Sequence, residues 1–259
     1  MAYALFLDID NTLLAKQVGI PKENIEALRR FHDAGHYVFI NTGRTIGNYP
    51  AQALSPVPVD GVVASIGSYI SFRGQELANR CMDPGQLIEV TMYFAKKGDR
   101  VIWEGDKAYR PFLLRDHPDR YRFEDAFDET FDLVAEAKAQ RVSKITVLRQ
   151  ITPEEEAFLS RYFKVYVHSY YTETTFHGCD KGTGMLALCG HLGIPEDHII
   201  AMGDSNNDEE MLRAAALSVA MGNSDPYLKE LVTYVSCDAA QGGVAQGIYH
   251  FFPELRNNA

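Results

Sequence analysis

The chain opens on an unbroken apolar run, Tyr3-Ala4-Leu5-Phe6-Leu7, which stops at Asp8-Ile9-Asp10-Asn11-Thr12-Leu13. A run this short, without alternation, predicts a strand covered on both faces, as in a parallel sheet. Gly19-Ile20-Pro21 then introduces a predicted helix over 22–34, where Ile25, Leu28 and Phe31 recur at helical spacing and Gly35 marks the end. A second buried strand follows, His36-Tyr37-Val38-Phe39-Ile40, running into Asn41-Thr42-Gly43-Arg44. Strand, helix and strand in this order predict a right-handed βαβ unit with parallel strands. A short helix broken by Ser55-Pro56-Val57-Pro58 leads to a third strand over 61–66. Arg73-Gly74 then turns two short extended runs, 69–72 and 75–77, into a hairpin.

Near Met82-Asp83-Pro84-Gly85 the pattern changes. Up to about residue 179 it predicts a helix over 86–97, strands at 101–104 and 108–111 turned by Gly105-Asp106, and a charged, aromatic loop carrying His117-Pro118 and Tyr121. A strand at 142–148 and a helix opened by Thr152-Pro153-Glu154-Glu155 come next, and strands at 165–168 and 172–176 close the segment. Units of this kind predict an α+β insert built on an antiparallel sheet. From Asp180 the βα alternation returns: a helix over 183–191, a strand at 198–202 running into Gly203-Asp204-Ser205-Asn206-Asn207-Asp208, and a helix over 209–215. Two further βα steps turn at Gly222-Asn223-Ser224-Asp225 and Gln241-Gly242-Gly243. The expected architecture is α/β, a Rossmann-like parallel core from 1–82 and 180–259 with an inserted α+β domain over 83–179.

Composition narrows the function classes. At 259 residues and 46% hydrophobic, the chain is globular and large enough for one or two domains. A net charge of -10 argues against nucleic acid or an anionic membrane surface as partner. An anionic small substrate stays open, because a local cation overrides the global field. Cys81, Cys179, Cys189 and Cys237 show no metal-binding spacing and read as reduced thiols. No basic n-region precedes the first strand, and no apolar run is long enough for a membrane span. The expectation is a soluble, cytoplasmic monomer.

Candidate chemistry collects at strand ends. In an open α/β sheet, ligands bind outside the carboxyl ends of the strands. Asp8 and Asp10 stand there at i and i+2, where two carboxylates repel unless a cation or shared proton compensates. A hard cation such as Mg²⁺ is the usual partner for such oxygens, although Asp and Asn at a strand end also simply cap turns. Thr42 and Gly43 offer a hydroxyl, an N–H and a tight turn to an anion, or an ordinary helix cap. Lys181 stands at a helix start, where a lysine opposes the macrodipole, so either an anion lies nearby or the lysine is a solvated surface group. Asp204 and Asp208 repeat the acidic strand end.

The ordered set resembles the four motifs of the haloacid-dehalogenase superfamily of phosphohydrolases. Asp8-Ile9-Asp10-Asn11-Thr12-Leu13 matches the first, Thr42-Gly43-Arg44 the second, Lys181-Gly182 the third and Gly203-Asp204-Ser205-Asn206-Asn207-Asp208 the fourth. The insert looks like the C2 cap of subclass B, as in Cof-like sugar phosphatases. Asn11 stands where the family usually has Gly, and Ser65-Ile66-Gly67 where relatives commonly carry Asn-Gly. The resemblance implies a Mg²⁺-dependent phosphatase of a small phosphorylated metabolite, a sugar or polyol phosphate. It implies Asp8 as nucleophile and Asp10 as general acid/base. Thr42, Gly43, Lys181 and Asn207 would bind the phosphate. The metal would be held by Asp8, the Asp10 carbonyl, Asp204 and Asp208. Arg44 contacts substrate or braces its loop. Tyr109, Arg110, Lys144, Tyr166 and Tyr170 are the candidate specificity residues of the cap, with His177 and Cys179 at its hinge. The competing readings are a phosphomutase of the same fold and a non-catalytic phosphometabolite-binding protein.

Overall fold

The computed structural model describes residues 2–99, 101–107, 110–112 and 133–256. The loop with His117-Pro118 and Tyr121, the residue Tyr109 and the side chain of Arg110 lie outside them. The chain divides into two compact units, Met1–Gly43 with Pro50–Ala78 and Asp180–Ala259, and Arg44–Tyr49 with Asn79–Cys179. The second unit thus takes in Asn79–Met82 and the short segment after Gly43 as well as the insert expected from the sequence.

The first unit begins with β1 (Ala4–Leu7), α1 (Lys22–Asp33), β2 (Tyr37–Asn41), α2 (Ala51–Leu54), β3 (Gly61–Ala64), β4 (Tyr69–Phe72) and β5 (Gln75–Asn79, whose last residue falls in the second unit). The insert carries α3 (Pro84–Ala95), β6 (Val101–Gly105), β7 (Arg110–Phe112), α4 (Leu133–Ala139), β8 (Val142–Val147), α5 (Pro153–Leu159), β9 (Phe163–Val167) and β10 (Thr172–Phe176). The first unit resumes with α6 (Lys181–Leu192), β11 (Ile199–Gly203), α7 (Glu209–Ala214), β12 (Leu217–Ala220), α8 (Pro226–Lys229), β13 (Tyr234–Val235) and α9 (Gly243–Phe251).

Among the described residues the sheet of the first unit runs β13-β12-β11-β1-β2-β3-β4-β5. It is parallel from β13 to β3 and antiparallel where β4 returns on β3. Every residue of β1 is fully buried. Alternation along β1 sends Ala4 and Phe6 to the face covered by Met185, Leu188, Met211 and Leu212 of α6 and α7. The opposite face lies on the side of α1 and α9, which pack against each other. Because β1 pairs with β2 on one side and β11 on the other, the order in which the chain adds parallel strands reverses at β1. That is a topological switch point, where the carboxyl ends of neighbouring strands leave a crevice.

The second unit is an antiparallel sheet in the order β7-β6-β8-β10-β9 among the described residues. One face packs Val101, Trp103, Ile145, Val147, Phe163 and Phe176 against the helices through Leu87, Val90, Phe94 and Leu159. Thr152 and Glu155 form a capping box at the start of α5, where the sequence opens the predicted helix, the Glu155 N–H donating to Thr152 Oγ1 (3.3 Å) and the Thr152 N–H to Glu155 Oε2 (2.9 Å). The helix α4, in sequence Leu-Val-Ala-Glu-Ala-Lys-Ala, falls in a stretch to which the sequence pattern assigned no element. Its residues are strong helix formers in a stretch too short to show periodicity. No helix among the described residues is long and apolar enough to cross a membrane.

Candidate active site

The carboxyl ends of β1 and β11 bring three carboxylates together. One oxygen from each of Asp8, Asp204 and Asp208 lies within 4.8 Å of the others. All three are buried, Asp208 completely. Lys181, at the first position of α6, sends its ammonium into this cluster, donating to Asp8 Oδ1 and to Asp208 Oδ1, each at 2.6 Å. The lysine is therefore a buried cation shared by two carboxylates, not a solvated surface group. The second Asp208 oxygen accepts from the Asp204 and Ser205 N–H groups, both at 3.0 Å, so Asp208 caps its own loop while it holds Lys181. Gly203 makes that fold possible: a Cβ there would fall 2.5 Å from Asp208 Cγ.

Electrostatics follow from the geometry. Three buried carboxylates lie around one ammonium, which bonds two of them, and this leaves a surplus of negative charge away from water. Burial, then Asp208 and Asp204, push the Asp8 carboxyl well above the usual carboxylate range against the pull of Lys181. Burial and Asp208 likewise raise Asp204 from 3.8 to about 6. Burial disfavours the Lys181 ammonium, but Asp208 and Asp8 outweigh it and hold its pKa up. A site of oxygen donors with uncompensated charge fits a hard divalent cation.

Thr42 is buried, its N–H bonded to Val63 O (2.9 Å) and its carbonyl receiving the Ile66 N–H (3.3 Å). Asn207 stands beside the second motif, since a Cβ on Gly43 would meet its Nδ2 at 3.4 Å. Its own Oδ1 accepts from Ser205 Oγ (3.2 Å). The side chains that orient Lys181 are thus Asp8 and Asp208, with Asn207 one step away. The Asp10 side chain is exposed and lies outside the three-carboxylate cluster. Arg44 donates to Asn48 O (3.3 Å) within the second compact unit. Lys144 is spent on an ion pair: buried, it bonds Glu173 Oε2 (2.8 Å) and lies 3.4 Å from Glu104 Oε2. Tyr170, by contrast, is highly exposed.

Two contacts carry no sequence signal of their own. Thr12 Oγ1 donates to Asp204 Oδ1 (3.0 Å), tying the first motif to the fourth. Asn41 Nδ2 donates to the Lys181 carbonyl (2.9 Å), fixing the start of α6 from the end of β2. After β3 the backbone passes through Ser65, Ile66 and Gly67 at φ 52°, 54° and 87°. This left-handed turn lets Gly67 approach α6 so closely that a Cβ would sit 2.1 Å from Asp180 O. Ile66 is fully buried there, and a β-branched residue in that region costs about 1–3 kcal/mol of strain.

The family description "haloacid dehalogenase-like hydrolase" matches residues 5–248. The chain belongs to this family. It is 27% identical to a 5-amino-6-(5-phospho-D-ribitylamino)uracil phosphatase of Bacillus subtilis, over 95% of this chain and 94% of the relative. It is 26% identical to a phosphoglycolate phosphatase of Methanothermobacter thermautotrophicus, over 96% of this chain and 98% of that one. A solved phosphatase of the same superfamily from Bacteroides thetaiotaomicron shares the fold at a TM-score of 0.83, with 23% identity over 97% of this chain and 96% of the other. The hydrolase family and the α/β fold expected from the four motifs are therefore the ones found.

Proposed function

We propose that this hydrolase is a Mg²⁺-dependent phosphatase of small phosphorylated metabolites, a sugar or polyol phosphate, working through an aspartyl-phosphate. The observation that carries the reading is the Asp8–Lys181–Asp208 bridge with Asp204 beside it. It assembles a nucleophile, a cation for phosphoryl oxygens and a set of metal-binding carboxylates at one sheet edge. In the first step an Asp8 oxygen attacks phosphorus, the bond from phosphorus to the ester oxygen breaks, and Asp10 gives its proton to the departing oxygen. In the second, Asp10 takes a proton from water, the hydroxide attacks phosphorus, and the Asp8 carboxylate is released with inorganic phosphate. Lys181, Thr42 and the Gly43 backbone hold the phosphoryl oxygens, with Asn207 beside them. Mg²⁺, when held by Asp8, the Asp10 carbonyl, Asp204 and Asp208, supplies positive charge that offsets repulsion between the anionic nucleophile and the phosphate.

The polyol phosphate class is supported by the relative named for a phosphoribityl substrate. We assign the choice of leaving group to the insert over 83–179. The reading is tested on p-nitrophenyl phosphate. Nitrophenolate release requires Mg²⁺, stops with a chelator and is lost in Asp8→Asn. Turnover that survives Asp8→Asn overturns the nucleophile assignment.

A further inference from the structure

The turn that follows Asp10 is held from a distance by a residue the reaction itself does not use. Asn11 sits at φ 58°. Its N–H reaches Leu14 O (3.0 Å), and Leu13 and Leu14 both donate to Ile9 O (3.1 and 2.7 Å), so the segment after Asp10 closes into a tight loop. A left-handed conformation costs a non-glycine residue about 1–2 kcal/mol, less for Asn. The Asn11 carbonyl accepts from Asn223 Nδ2 at 2.9 Å. The Asn223 amide is itself fixed, because its Oδ1 receives the Ala239 N–H at 2.8 Å. An amide with oxygen and nitrogen both engaged has one orientation, and here the nitrogen faces Asn11.

Asn223 does not hang from a free loop. The segment after β12 is tied to the end of β11: Met221 N–H donates to Gly203 O (3.1 Å) and Asp225 N–H to Asp204 O (3.3 Å). The Gly222 N–H reaches Cys237 O (3.1 Å), and Lys229 Nζ donates to the Gly222 carbonyl. A Cβ on Gly222 would lie 2.5 Å from Asp238 Oδ1, so the segment is packed against the chain leading into α9. Asn223 therefore transmits the position of the Asp204 loop to the residue next to Asp10.

We propose that Asn223 is a positioning residue for Asp10: by holding the Asn11 carbonyl it fixes the backbone from which Asp10 delivers a proton to the leaving oxygen. The inference rests on the phosphatase reading and on the role given there to Asp10. It also explains how the chain accommodates Asn11 where the family usually has Gly. The left-handed peptide gains a dedicated donor in place of glycine's conformational freedom.

The test compares kcat/KM for phenyl phosphate and p-nitrophenyl phosphate, a pair of nearly equal size. kcat/KM covers steps up to alcohol release and so leaves out hydrolysis of the intermediate. Phenolate needs the proton from Asp10 more than nitrophenolate does. Asn223→Asp keeps an acceptor for the Ala239 N–H and removes the donor to Asn11. We expect it to lower kcat/KM about tenfold for phenyl phosphate and less than about twofold for p-nitrophenyl phosphate. Adding Asn11→Gly, which tolerates the left-handed peptide unaided, restores most of the lost phenyl phosphate activity. Equal losses on both substrates, in Asn223→Asp and in Asn223→Ala, overturn the positioning role and leave a merely structural one; no loss on either overturns it outright. Asp10→Asn is the control. If it discriminates between the substrates and Asn223→Asp does not, the positioning inference alone fails. If Asp10→Asn does not discriminate, the acid role in the proposed function fails and takes this inference with it.

Discussion

Lys181 decides the balance of charge at the site. A buried ammonium between two carboxylates has lost its water, and its two 2.6 Å bonds replace it. Lys181→Met leaves three carboxylates facing one another without a cation. Metal-free stability should fall by about 3–5 kcal/mol in denaturant unfolding, and phosphatase activity should disappear. Asp204 behaves in the opposite way. Its carboxyl is raised from 3.8 to about 6 by burial and by Asp208. The folded chain holds that proton more tightly than the unfolded chain, so the Asp204 contribution to the stability of the metal-free protein falls as pH climbs from about 4 to about 6 and stays low above. Asp204→Asn removes that penalty and keeps an oxygen for the Thr12 hydroxyl. In EDTA at pH 7.5 it should be about 2 kcal/mol more stable than the wild type, and at pH 4 the two should be nearly equal. Adding Mg²⁺ at pH 7.5 should raise the Tm of the wild type and leave that of Asp204→Asn where it was. A variant no more stable than wild type in EDTA would show that the Asp204 charge carries no cost.

At the scale of elements, the site depends on two close approaches of backbone, each made possible by glycine. Gly203 lets the Asp208 side chain fold back over the end of β11, and Gly67 lets the turn after β3 abut the start of α6. Gly203→Ala puts a methyl 2.5 Å from Asp208 Cγ, and Asp208 is what holds Lys181. We expect kcat for p-nitrophenyl phosphate to fall about a hundredfold while the far-UV circular dichroism is retained. Much of this layout was legible in the residues themselves. The runs of β1 and β2 are short and apolar, and each stops at a polar group, so their ends could be read directly. Asp8 and Thr42 belong to short motifs at those ends, Asp204 and Asp208 to one at the end of β11, and Lys181 to one at the start of α6. What joins the motifs is not local. Thr12 meets Asp204 across 192 residues of chain, Asn41 meets Lys181 across 140 and Asn223 meets Asn11 across 212. No periodicity within one element encodes such pairs. The capture of Lys144 by Glu104 and Glu173 was hidden for the same reason, since a lysine in a strand carries no sign of its partners on neighbouring strands. In α4 the cause was length, seven residues being too few for a helical stripe to stand out.

For the whole molecule, the two compact units carry separate apolar cores. One gathers Phe6, Phe39, Met185, Leu188 and Met211, and the other Phe94, Trp103, Ile145, Leu159 and Phe163. The insert adds a charged clamp of its own, in which Arg149 bonds Asp99 at 2.6 Å through Nε and Nη2 and Glu155 at 2.8 and 2.9 Å through Nη1 and Nη2. By contrast, Asp8, Lys181, Asp204 and Asp208 all belong to the first unit. A ligand that binds only the folded form stabilises what must be intact to bind it, by about 2.7 kcal/mol at a concentration a hundred times Kd. If Mg²⁺ binds at this cluster, its stabilisation should therefore be confined to the unit that builds it. Native-state hydrogen exchange resolves this, because amides report the free energy of the opening that exposes them. With Mg²⁺ at that concentration, amides of β1, β2, β11 and α6 should gain about 2.7 kcal/mol of protection, and those of β6, β8 and β10 should gain little. A uniform gain across both sheets would mean that the units open together and that the insert is not an independent folding unit. A gain confined to β6, β8 and β10 would place the metal elsewhere and remove the carboxylate cluster from the reaction.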